Sequence, residues 1–97
     1  MFGWWRQKEA EPKSVRANRV WEAEGEVFVD VRGQTCPGYL LAINHAVDPL
    51  APGTPVCLQI TYPPCADDVR AWAASRGHQL LGMDSTDTLF EIRLIRG

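Results

Sequence analysis

No run of about 20 apolar residues occurs anywhere in this chain, so nothing in it reads as a membrane span. The opening Met1 to Lys8 carries Phe2, Trp4 and Trp5 but no apolar run long enough for a secretory signal, and the expected location is the cytoplasm. A Cys-x-x-Cys pair is also missing. Cys36, Cys57 and Cys65 stand too far apart for a structural zinc site, and adding His45 and His78 does not create ligand spacing, so no metal is expected. In a reducing compartment these are free thiols. Basic clustering is absent as well, and a net charge of −2 argues against strong direct contact with nucleic acid. A role in RNA modification would therefore run through protein partners. Finally, no Ser/His/Asp or Cys/His arrangement is visible, because His45 lies more than two helical turns beyond Cys36.

What the chain does contain is an ordinary globular composition. Its 97 residues are 45% hydrophobic and 23% charged, enough for one domain with a modest core. Residues 1–25 stand apart: their charges nearly cancel, Pro12 interrupts any helix, and three tryptophans lie there. They read as a flexible N-terminal extension, with a partner-binding or membrane-surface segment as the other reading. From Glu26 the pattern becomes regular. Val27, Val29 and Val31 alternate as a strand, and Leu40, Ile43, Val47 and Leu50 form a helical stripe that ends at Pro49 and Pro52-Gly53. Val56, Leu58 and Ile60 alternate again, with Cys57 on the opposite face. A second helix opens near Cys65 with Asp67 and Asp68 in its first turn. Two strands follow, 78–84 and 88–95. The order βαβαββ predicts a two-layer α/β sandwich, with a four-stranded mixed sheet and two helices on one face.

Cys36 falls at the first strand–helix junction, directly before Pro37, which suits a first helical position. N–H groups at a helix start lack partners and favour negative charge, such as a thiolate or a persulfide anion. The helix dipole contributes about 0.3–1 kcal/mol, under one pKa unit, so further activation falls to Arg32 or to a partner protein. That suits a carrier, which needs an accessible thiolate but no general base. Cys65 opens the second helix at the same sheet edge, which makes it a second candidate thiol. It could receive sulfur from Cys36 or close a disulfide with it.

Residues 29 to 37, Val-Asp-Val-Arg-Gly-Gln-Thr-Cys-Pro, resemble the opening signature of the TusA/SirA family of small sulfur-transfer proteins. The likeness continues through Pro52-Gly53, Val69-Arg70-Ala71-Trp72, Gly77 to Leu81 and Ile92 to Arg96, covering residues 26–97. The resemblance implies the βαβαββ fold and a persulfide on Cys36, framed by Asp30, Arg32, Gly33 and Pro37. It also implies a donor of the cysteine desulfurase or rhodanese type and an acceptor of the DsrE type, serving tRNA thiolation or sulfur oxidation, with no cofactor. The sequence departs from the family at Gly38-Tyr39, which replaces the usual x-Pro and offers Tyr39 as a surface beside the thiol. It departs again at Tyr62-Pro63-Pro64-Cys65 and in the N-terminal extension. Two rival readings stay open: a non-catalytic interaction module that binds through the Trp-rich arm and Tyr39, and a thiol–disulfide redox protein using Cys36 and Cys65.

Overall fold

In a computed structural model, the structure describes residues 16–35, 38–63 and 65–97. Cys36, Pro37 and residues 1–15 of the expected extension lie outside them. The elements, in chain order, are β1 (Arg19–Ala23), β2 (Glu26–Asp30), α1 (Gly38–Val47), β3 (Pro55–Ile60), α2 (Cys65–Arg76), β4 (Gln79–Thr86) and β5 (Leu89–Ile95). The sheet order is β1-β2-β3-β5-β4; β2 and β3 pair in parallel, and the other neighbours are antiparallel.

The α/β class is as expected, but among the described residues the sheet has five strands, not four. The added strand is Arg19–Ala23, within the segment read as a flexible arm. It folds back on β2 through Glu24 and Gly25, both at positive φ (54° and 79°). That two-residue loop matches the twist of a hairpin, and Gly25 adopts it without steric cost. Trp21 stacks on Phe28 with ring centroids 5.2 Å apart, and the Arg19 guanidinium lies 4.6 Å from the Trp21 ring centre.

The core lies between the sheet and both helices. Val27, Val29 and Val31, then Val56, Leu58 and Ile60, then Ile92 and Leu94 form one cluster with Tyr39, Ala42, Ile43 and Val47 of α1 and with Cys65 and Val69 of α2. Every second strand residue points inward, which follows from the two-residue pleat. Full burial of a side chain such as Ile43 or Leu58 contributes about 1.5–3 kcal/mol. The inward stripe of α1 begins one residue earlier than expected: Tyr39 is buried, while Leu40 and Leu50 are only partly so. Arg96 donates to the carbonyls of Val47 (3.2 Å) and Asp48 (2.7 Å), capping the C-terminal end of α1 with a cation.

Among the described residues no helix packs on the other sheet face, which carries the Trp21–Phe28 stack beside charged side chains. Arg93 reaches both Glu26 (3.5 Å) and Asp84 (3.6 Å) across the strands. Cys57 is on this face, as its phase required, and is buried between its strand neighbours Phe28 and Arg93. The β4–β5 hairpin closes more tightly than the sequence suggested. Thr86 pairs with Leu89, and Asp87 takes the left-handed conformation (φ 46°).

Candidate thiol site

Parallel pairing of β2 with β3 brings both strand–helix junctions to one edge of the sheet. The first junction is a turn in which each residue from Asp30 to Thr35 is tied. Val31 N–H donates to the Gln59 carbonyl (3.0 Å), continuing the ladder one residue past β2. Gly33 then turns at φ +82°, a conformation that L side chains rarely adopt, and its N–H donates to Thr61 Oγ1 (2.8 Å). Gln34 N–H donates back to the Val31 carbonyl (3.1 Å), and the Thr35 carbonyl accepts Tyr39 N–H (3.0 Å), an i→i−4 bond of α1.

Asp30 is the buried charge of this turn, 6% exposed. Its carboxylate accepts from Arg32 three times: the backbone N–H (2.9 Å), Nε (3.0 Å) and Nη2 (3.0 Å). Those hydrogen bonds hold the Asp30 carboxyl below the usual carboxylate range, against the upward push of burial. The pairing equally commits the Arg32 guanidinium. Arg32 therefore presents the turn with half of a neutral ion pair, which weakens it as an independent source of thiolate stabilisation. Asp30, Arg32 and Gly33 thus lie together in one turn; Cys36 and Pro37 follow in the chain but lie outside the described residues.

The second junction has a different character. Cys65 begins α2, and its own N–H donates to the Tyr62 carbonyl (3.1 Å). Its side chain is fully buried, and burial pushes the thiol pKa up, with the nearby Asp68 carboxylate adding to the rise. Burial, aided by Glu91, Glu26 and Asp84 and opposed by Arg93, pushes the Cys57 thiol up to about 11. Both of these thiols stay protonated at neutral pH and are shielded from a large partner.

Tyr39, expected as a surface beside the thiol, points into the core with no exposed area. Its hydroxyl donates to Asp68 Oδ2 (2.9 Å), and its ring packs on Tyr62 at 5.2 Å. A buried tyrosine needs a partner for its O–H, and the first turn of α2 supplies one. The exposed face of α1 instead carries Leu41, 51% exposed, beside a shallow groove lined by Asn44, His45, Asp48 and Pro49.

The sequence reading missed three participants in the turn: Asn18, Gln34 and Thr61. Thr61 was within reach of pattern reasoning, since parallel register places the residue after β3 beside the turn after β2. Asn18 and Gln34 act through side chain–backbone bonds, which leave no periodic trace. Among the described residues, no group of three His, Cys, Asp or Glu side chains could hold a metal ion, and no helix is long and apolar enough to cross a membrane.

In comparison with known families, residues 27–96 match the family model described as "Sulfurtransferase TusA". No curated protein matches the chain.

Proposed function

The chain belongs to the TusA sulfurtransferase family, and we propose that it carries sulfur as a persulfide on Cys36 within a protein-to-protein relay. The Cys36 thiolate attacks the outer sulfur of a donor persulfide. The donor's S–S bond breaks, the donor leaves as a thiolate, and a new S–S bond holds the sulfur on Cys36. Sulfur passes to the acceptor thiol by the same exchange, with no net oxidation and no cofactor.

The observation that carries this reading is the contrast among the three cysteines. Cys57 and Cys65 are buried with raised pKa values, whereas Cys36 follows directly on a polar, hydrogen-bonded turn at the sheet edge. We assign the donor to the cysteine desulfurase or rhodanese type, the acceptor to the DsrE type, and the pathway to tRNA thiolation or sulfur oxidation in the cytoplasm. Residues 26–97 serve as the carrier domain. The test is intact-mass spectrometry after incubation with polysulfide, or with a cysteine desulfurase and cysteine. Wild type should gain the mass of one sulfur, removable by reductant, and Cys36→Ser should gain none. An adduct that survives in Cys36→Ser, or no adduct on wild type, overturns the proposal.

A further inference from the structure

Residues 16–18 precede the stretch that matches the family, 27–96, yet they hold the turn that leads to Cys36. Asn18 N–H donates to the Asp30 carbonyl (2.8 Å), continuing the β1–β2 ladder. Its side-chain amide donates to the Arg32 carbonyl (2.8 Å) and approaches Asp30 Oδ1 (3.5 Å). From the turn, Gln34 Nε2 donates back to the Arg16 carbonyl (3.0 Å) and to Asn18 Oδ1 (3.1 Å). Both of its partners are acceptors, so the Gln34 amide cannot be reversed. Gln34 Oε1 is consequently left buried without a hydrogen-bond partner. An unpaired buried carbonyl is unfavourable, and a turn free to rearrange would shed that cost.

We propose that Asn18 and Gln34 form a brace between the chain before β1 and the thiol turn, and that Asn18 is a positioning residue for the chemistry of Cys36. The proposal rests on the carrier reading for its purpose, though not for its measurement. Donors held in place stabilise a thiolate better than donors free to reorient. Arg32, Gly33 and Gln34 are all pinned within four residues of Cys36 in the chain, so the brace fixes the backbone that Cys36 follows in sequence.

The test measures the rate of Cys36 alkylation by iodoacetamide against pH in the full-length chain. Peptide mass mapping counts Cys57 and Cys65 separately, and thermal unfolding is followed in parallel. Asn18→Ala and Gln34→Ala should slow alkylation at pH 7 by about 3- to 10-fold, as the profile moves up by about half to one pH unit. Val20→Ala weakens the same strand away from the turn and should keep the wild-type profile. An unchanged profile in Asn18→Ala, or an equal shift in Val20→Ala, overturns the brace and leaves β1 as a strand only. Failure of wild type to take up sulfur would remove the carrier reading, while the alkylation profiles would still decide the brace.

Discussion

The two strand–helix junctions share an edge, a topology and a cysteine, yet they are built in opposite ways. The first is polar: a buried Asp30 paired with Arg32, a glycine at positive φ, and side chains from Asn18, Gln34 and Thr61 closing the turn. The second is apolar: Cys65 is sealed in the core at the start of α2, close to Tyr62 and Tyr39. Cys65 begins a helix and thereby stands in the favourable field of its N-terminus, but its pKa still rises. The lesson is one of magnitude. A helix dipole contributes about 0.3–1 kcal/mol, and burial works against it by disfavouring the charged thiolate. A helix start alone does not activate a thiol; access to water and a polar turn must accompany it.

The sharpest way to break this comparison is to delete each thiol in turn. Cys65→Ala should leave sulfur loading of the protein within twofold of wild type, whereas Cys36→Ser should abolish it. Stoichiometry by intact mass checks both, and a Cys65→Ala protein that no longer loads or releases sulfur would show the two junctions acting as one relay.

Next in size is the link between the junctions. Tyr39 fills the space between α1 and α2 and donates to Asp68. Tyr39→Ala should lower unfolding stability by about 3–5 kcal/mol, the range for removing a buried aromatic side chain. Tyr39→Phe keeps the ring and should cost only about 1 kcal/mol, through the lost hydrogen bond to Asp68. Urea unfolding separates the two. Equal losses would mean that the hydroxyl, not the ring, joins the helices.

Much of this was legible in the sequence. The alternations at Val27 to Val31, Val56 to Ile60 and Phe90 to Leu94 are strong because one face of each strand packs on α1 and α2 and the other turns away from them. β1 escaped because it is an edge strand beyond the reach of the helices: Val20, on the inward face, is 48% exposed, so no apolar alternation was selected there. Tyr39 was misplaced for a different reason. Its closeness in sequence to Cys36 suggested the surface, although the spacing 39, 43, 47 places it on the buried stripe of α1. Asp30 was legible through the resemblance of residues 29 to 37 to the family's opening signature. Its bond to Arg32 was not, since a bidentate pair two residues apart depends on the turn between them.

That pair provides the smallest and most specific test, through pH. Asp30 has a folded-state pKa below its ordinary value of about 3.9. Its contribution to stability is therefore fully present above the unfolded value and is lost as pH falls through the lower, folded one. Arg32 is half exposed, so solvent screens the pair and leaves it a small contribution at neutral pH. Asp30→Asn removes this contribution at every pH. Urea unfolding of wild type and Asp30→Asn should differ by that small contribution at pH 6, and the two should converge as the pH falls below 4. Cys65→Ala removes a buried, neutral thiol from the second junction and should give a stability difference that is flat over the same range. A wild type and Asp30→Asn that stay equally far apart at low pH would mean that the Asp30 side chain supports the turn by shape, and that its charge contributes nothing to the first junction.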